Sequence, residues 1–355
     1  MDIKFEKRAE LKQKPDEKNL GFGKYYTDHM FMMDYDEGQG WHDGRIVPYG
    51  PLKLDPSSMV FHYAQELFEG LKAYRVADGS IQLFRPQKNI ERMNTTCDRL
   101  CVPRIDPDLA LEAIKAVVDV DKDWVPHNDG TSLYIRPFII ATDAFLGVHA
   151  SHSYIFCIIL SPVGSYYANG MDPVKIFIER EYVRCVKGGT GIAKCGGNYA
   201  ASLIGQEKAD KMGYAQVLWL DGVERKYIDE VGAMNVFFVI DGVVITPSLE
   251  DGNILPGVTR ASCIEVLKAN GYKVEERKLS IDEVKEAYKA GKLNESFGTG
   301  TAAVISPVGE YIDGDEHIII NDSKIGPVAQ FLYDELTGIQ WGKKEDKNGW
   351  IVKVN

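Results

Sequence analysis

Apolar and polar positions change period many times along this chain, and each change marks an element. In LKAYRVADGSIQLF (71–84) two strand-like runs flank Asp78-Gly79, a pair that readily takes the positive backbone angles of a tight hairpin turn. RPQKNIERMNTTCDRL (85–100) then sets Ile90, Met93, Cys97 and Leu100 on one helical stripe. A second helix is predicted over DLALEAIKAVVDV (108–120), and strands over SLYIRPFIIA (132–141) and SYIFCIILSPV (153–163), the last containing an apolar run that reads as a buried strand. Further along, VKIFIEREYVR (174–184) predicts a strand, a helix runs from about Tyr199 to just before Gly213, and hairpins turn at Asp221-Gly222 and Asp241-Gly242. LPGVTRASCIEVLKANG (255–271) predicts a helix stopped by Gly271, SIDEVKEAYKAG (280–291) opens with the capping box Ser280 to Glu283, and GPVAQFLYDEL (326–336) is amphipathic.

Strands and helices alternate here without a steady βαβ rhythm, so the expected class is mixed α/β of the α+β kind rather than a doubly wound sheet. GSYYANGMDP (164–173) has the composition of a linker between a domain over 1–163 and another over 174–355. A length of 355 residues allows two such domains with cores that need no disulfide. The net charge of −11 argues against a nucleic-acid partner, and it also means that any phosphate ligand must find locally concentrated positive charge. Six cysteines lie without metal-ligand spacing, so no metal is expected and a reducing compartment is. Cys97 and Cys101, four apart on a predicted helix, read as neighbouring core positions. MDIKFEKRAELKQKP has no apolar leader, and YIFCIIL (154–160) falls far short of the ~20 residues that span a bilayer, so a cytoplasmic protein without membrane contact is expected.

Chemistry enters at GGTGIAKCGGNYAAS (188–202), five glycines around one lysine ahead of a predicted helix. A phosphate-cradling loop of the Walker type needs Gly-Lys followed by Ser or Thr, whereas Ala193 precedes Lys194 and Cys195 follows it. The dinucleotide fingerprint fails as well, because Lys194 stands where it needs Gly or Ala. Three other features could supply a phosphate site. They are the helix start in LPGVTR with the Thr259 hydroxyl, the small-residue turn FGTGTAA (297–303), and Arg92 as a fixed planar donor.

Taken together with TDHMF (27–31), HYAQELFEGLKAY (62–74), LFRPQKNIERM (83–93), SLYIRP (132–137), LGV (146–148), KCGGNYAAS (194–202) and DEVGAMNVFFV (229–239), these segments closely resemble the branched-chain amino acid aminotransferases. These are fold-type IV enzymes that use pyridoxal 5′-phosphate, and the resemblance covers about residues 20–340. It implies a smaller N-terminal α+β domain, a larger C-terminal domain with a barrel-like mixed sheet, an active site between them, and a homodimer. It also implies transfer of the amino group of leucine, isoleucine or valine to 2-oxoglutarate.

By the same resemblance Lys194 binds the cofactor aldehyde and then moves the proton, so it must be neutral when free. Glu230 holds the pyridine nitrogen protonated, with Asp229 as its neighbouring competitor, and Tyr199 bonds the ring 3-oxygen. Arg92, Val258, Thr259 and Thr301 bind the phosphate. Tyr134 and Ala302 clamp the substrate carboxylate, with Arg136 setting up that region. Tyr26, Phe68, Tyr166 and Val148 line the pocket, Val148 and Tyr63 coming from the neighbouring subunit. The chain departs from some members in having Ala303 and Ser306 where they carry a redox-active cysteine pair, and Ala233 where they carry a threonine. The alternatives within the fold are a D-amino acid transaminase and an aminodeoxychorismate lyase; outside it, a non-catalytic protein that binds the cofactor or a phosphate.

Overall fold

A computed structural model describes residues 2–164 and 171–354, which leaves Tyr166 and most of the expected linker outside the described residues. The backbone groups into two compact units: Met1–Tyr166 with Ala193–Gly196 and Ile339–Asn355, and Tyr167–Ile192 with Gly197–Gly338. Two short segments therefore leave their sequence neighbours. One reason is local. Phe68 N donates to the Lys194 carbonyl at 3.0 Å and Lys194 N donates to Thr96 Oγ1 at 3.0 Å, so the lysine's backbone is tied into the first unit.

The first unit is built on a nine-stranded, largely antiparallel sheet. Its elements in order are β1 (Lys4–Phe5), β2 (His29–Asp36), β3 (Gly40–Pro48), helix α1 (Met59–Tyr63), β4 (Glu66–Phe68), β5 (Leu71–Arg75), β6 (Ile81–Phe84), α2 (Pro86–Leu100), α3 (Pro107–Val120), β7 (Ser132–Ala141) and β8 (Ser153–Val163). The C-terminal strand Ile351–Lys353 closes one edge against β6. The apolar run of β8 is central, paired with β2 on one side and β7 on the other, which is why it has no polar face. β7 alternates instead: Leu133, Ile135 and Ile139 enter the core, while Tyr134, Arg136 and Phe138 share the other, partly buried face. The stripe of α2 (Ile90, Met93, Cys97) and that of α3 (Ala110, Ala113, Ile114, Val117) pack into that core, each large side chain adding roughly 1.5–3 kcal/mol by burial. Cys101 does not join it: it is the exposed left-handed cap of α2, with φ 55°.

The second unit has its own nine-stranded mixed sheet, ordered β11-β10-β9-β16-β15-β12-β13-β14 with β17 paired to β16. The ranges are β9 (Val174–Ile178), α4 (Gly196–Lys211), β10 (Gln216–Leu220), β11 (Ile228–Val231), β12 (Asn235–Ile240), β13 (Val243–Thr246), α5 (Val258–Ala269), β14 (Val274–Glu276), α6 (Ile281–Lys289), β15 (Leu293–Gly300), β16 (Val304–Asp313), β17 (Glu316–Ile319) and α7 (Pro327–Gln340). Ile281, Val284 and Ala287 of α6 pack with Leu218, Val236, Phe238 and Tyr311 of the sheet. Ser280 caps α6 by accepting from Glu283 N, and Gly271 follows α5 at φ 79°, both as the sequence predicts. The turn at Asp241-Gly242 has φ 53° and 77°, as a two-residue hairpin requires.

Three expectations shift. The strand over 174–184 ends at Ile178, because Glu179 Oε1 accepts from the amides of Glu181 and Tyr182 and turns the chain out of the sheet. The helix expected from Tyr199 starts at Gly196. Gly298 and Gly300, read as part of a turn, lie in β15, and the missing side chain of Gly298 makes room for Met234 and Val231. Among the described residues no helix is long and apolar enough to cross a membrane.

Candidate active site

In the first unit a charged cluster surrounds Lys194. The lysine Nζ lies 4.7 Å from the centroid of the Phe68 ring. Burial, reinforced by the Arg92 guanidinium, pulls its pKa down to about 8, against the opposing pull of Glu69. Glu69 is buried between them. Its Oε1 accepts from Arg92 Nε at 2.8 Å, and its Oε2 accepts from Arg92 Nη2 and Asn89 Nδ2 at 2.8 Å and from Gly70 N at 3.1 Å. Burial alone would push that carboxyl up, but Arg92 and then Lys194 hold it below the usual range. Asn89 and Arg92 are three apart on α2, so one helical face delivers both to the same carboxylate.

β7 adds Tyr134 and Arg136. The Arg136 guanidinium lies 4.7 Å over the Phe68 ring and donates to the Tyr134 hydroxyl at 3.4 Å, while its buried Nε has no hydrogen-bond partner among the described residues. Gly70 is required here for space, because a Cβ would collide with the Tyr134 hydroxyl. Gly196 N donates to Glu66 Oε1, and a Cβ there would meet the same carboxylate. Lys194, Phe68, Arg92, Tyr134 and Arg136 are thus brought together. Tyr26 instead stacks on Tyr49 at 5.0 Å, and Val148 is 80% exposed. Tyr63 is also exposed and donates to the Leu146 carbonyl.

In the second unit Glu230, on β11, is buried and held on both oxygens. Oε1 accepts from Leu255 N at 3.0 Å and Asn235 Nδ2 at 3.3 Å; Oε2 faces Arg184 Nε at 2.7 Å as an ion pair. Asp229 differs. Burial, then the charge of Glu230, pushes its carboxyl up to about 8, and Asn253 Nδ2 donates to it at 2.8 Å. Asn235 also joins Glu230 to the start of α5, since its Nδ2 donates to the Leu255 carbonyl at 2.9 Å and its Oδ1 fills the space a Cβ on Gly257 would need. Gly257 caps α5 without a side chain, no acid lies in the first turn, and Val258 and Thr259 are buried there. Across the sheet Asn235 pairs with Thr299, whose buried Oγ1 has no partner among the described residues, and the turn bearing Thr301 and Ala302 follows at once. Tyr199 sits in the first turn of α4, joined to the glycine loop by Thr190 Oγ1 donating to Asn198 Oδ1 at 2.6 Å. Glu69, Asn89, Thr96, Arg184 and Asn235 were not singled out by sequence, although all five fall inside quoted segments.

The family described as amino-transferase class IV matches residues 66–311. Branched-chain-amino-acid aminotransferase 2 of Bacillus subtilis is 58% identical over 352 residues, covering 99% of this chain and 97% of the relative. A branched-chain-amino-acid aminotransferase of Mycolicibacterium smegmatis is 47% identical over 342 residues, 95% of this chain and 93% of its own length. Among solved structures, the branched-chain amino acid aminotransferase of Escherichia coli superposes with a TM-score of 0.77 at 28% identity, covering 92% of this chain and 99% of that one. A second branched-chain amino acid aminotransferase, solved in complex with N-(5′-phosphopyridoxyl)-L-glutamate, gives a TM-score of 0.74 at 28% identity, covering 92% of this chain and 98% of that one. By the family match over most of its length and by these full-length relatives, this chain belongs to the class IV aminotransferases and, within them, to the branched-chain amino acid aminotransferases.

Proposed function

We propose that this chain moves the amino group between leucine, isoleucine or valine and 2-oxoglutarate, using pyridoxal 5′-phosphate. The donor set fits that cofactor: an uncapped helix start with a buried arginine elsewhere for the phosphate, a carboxylate backed by an arginine for a ring nitrogen, and a lysine of lowered pKa for an aldehyde. When bound, the cofactor supplies an aldehyde that takes up the amino group and a ring that withdraws electrons from the substrate Cα.

The chain's own residues do the rest. Lys194, neutral in a usable fraction near neutral pH, accepts the Cα proton and returns it one step later. Glu230, paired with Arg184 and bonded by Asn235 and the Leu255 amide, holds a proton at the ring nitrogen; Asp229, its carboxyl pushed up to about 8, is less suited to do so. Tyr199 bonds the ring 3-oxygen, and Arg92, Val258, Thr259 and Thr301 take the phosphate. Tyr134, Arg136 and the Ala302 backbone receive the substrate carboxylate, the Arg136 Nε, without a partner among the described residues, being suited to an anion. Tyr26, Phe68 and Tyr166 line the side-chain pocket. Tyr63 and Val148, both exposed in one chain, serve the neighbouring subunit of a homodimer. The enzyme works in the cytoplasm.

The observation that carries this reading is the Lys194–Glu69–Arg92 cluster, with Glu69 and Arg92 buried, in a chain of this family. A panel of amino donors tests it. Burying a branched aliphatic side chain gains roughly 1.5–3 kcal/mol, so kcat/KM for leucine should exceed that for alanine by about tenfold or more. Preference for alanine or for D-leucine would assign the chain to another activity of the same fold.

A further inference from the structure

The connection between β7 and β8 gathers donor groups that transamination does not use. Asp143, His149 and His152 each bring one possible ligand atom to within 4.8 Å of the others. Asp143 Oδ2 stands 3.2 Å from His152 Nδ1, close to the ~3.3 Å between two donors bound at about 2.0–2.2 Å to one tetrahedral zinc ion.

The surrounding bonds orient these donors. Asp143 Oδ1 accepts from Ser153 Oγ at 2.9 Å, and Oδ2 accepts from His152 N at 2.8 Å, which fixes the carboxylate plane. His149 Nδ1 lies 2.7 Å from the Ala150 carbonyl, an acceptor only, so Nδ1 carries the proton and Nε2 keeps its lone pair. The two imidazoles stack with centroids 4.9 Å apart. On the far side of His152, Glu37 Oε2 is 3.7 Å from Nε2, so a carboxylate backs the nitrogen opposite the one that faces Asp143. His149, its second nitrogen held by a carbonyl, has the usual pattern of a histidine at a protein-bound metal, while Glu37 stands only at ion-pair distance from His152.

We propose that Asp143, His149 and His152 form a binding site for one divalent transition-metal ion, with water completing its coordination. Two imidazoles and one carboxylate, without a thiolate, suit Zn²⁺ and its borderline neighbours Co²⁺ and Ni²⁺ rather than Mg²⁺ or Ca²⁺. The ion would tie His149 to Asp143 and His152 and so hold the exposed tip of this connection, Phe145 to Val148. None of the three ligands is a residue assigned to the reaction.

The untagged holoenzyme, freed of metal with EDTA, is titrated with Zn²⁺ by calorimetry and with Co²⁺ by visible absorption. The expected result is one saturable site per chain, reversed by EDTA, with Co²⁺ bands of an ordered nitrogen–oxygen site. His149→Ala and His152→Ala should each weaken binding by about tenfold or more, while His127→Ala, on another exposed ion pair, should leave it unchanged. Metal-free melting of the variants checks that they fold as the parent does. An absence of saturable binding overturns the proposal, as does a double variant His149→Ala/His152→Ala that binds like the parent. Binding that disappears with the exposed thiol, in Cys101→Ser, overturns it too.

Discussion

Replacing Glu69 by Gln keeps the shape of the side chain and removes one charge from a position that is 1% exposed. The native carboxylate accepts four hydrogen bonds, two from Arg92, one from Asn89 and one from Gly70 N. An amide offers a single oxygen, and its NH₂ must face a donor. Arg92, itself only 8% exposed, then keeps its charge without its counter-charge. Breaking a buried pair from one side costs about 3–5 kcal/mol. Removing both members costs less, because no orphan charge is left, so Glu69→Gln/Arg92→Gln should recover about 1–3 kcal/mol of the summed single losses. Urea unfolding of the cofactor-free chain, followed by far-UV circular dichroism at fixed protein concentration, reads these differences as midpoint shifts at unchanged slope. The pH dependence has a definite sign. Glu69 is held below its unfolded pKa, so its contribution is complete above the unfolded value and is lost as pH falls through the lower native one. The gap between parent and Glu69→Gln should therefore be full at neutral pH and close in acid. A loss under about 1 kcal/mol, the size of a surface pair, or strict additivity in the double variant would refute the reasoning.

Three further outcomes are expected. Lys194→Ala should abolish both transamination and any borohydride-trapped bond to the cofactor. In the parent the rate of covalent loading should climb toward pH 8, because a pKa of about 8 in place of 10.5 gives about 300-fold more free amine at pH 7. Glu230→Gln strands Arg184 and should slow turnover by roughly 10²–10³-fold, with Asp229→Asn much milder since that carboxyl is already largely protonated at pH 7; steady-state kinetics giving the reverse order would exchange their roles. Graded peroxide should leave activity intact, because Ala303 and Ser306 offer no thiol and burial pushes the Cys97 thiol up to about 12; reversible inactivation that tracks loss of a thiol pair would contradict this.

What the sequence made legible follows the range of the forces involved. Elements set by local periodicity and capping, such as α2, α3, α6 and the Asp241-Gly242 hairpin, could be read directly, since their signals lie within a few residues. The end of β9 could not, because Glu179 caps its own turn where the alternating pattern runs on to Arg184. Nor could Gly298 of β15, whose reason is the side chain of Met234 in the turn between β11 and β12, with Val231 beside it. The candidate site divides the same way. Lys194 and Glu230 stand in recognisable segments, but the groups that surround them come from far along the chain: Arg92 and Glu69 for the lysine, Arg184 and the Leu255 amide for the glutamate.

That division has a chemical cause. A reacting group can be identified by type, whereas its pKa depends on partners that only folding assembles. Lys194 and Lys72 make the point within one unit. Both are pulled down to about 8, and burial is the leading cause for each. Nothing in titration alone separates them. Lys194 stands apart because it lies over Phe68 and interacts with Arg92 and Glu69, and because Phe68 and Thr96 pin its backbone. A lowered pKa is common to any buried amine; a lowered pKa inside a fixed set of opposing charges makes an amine fit to exchange a proton at one defined place.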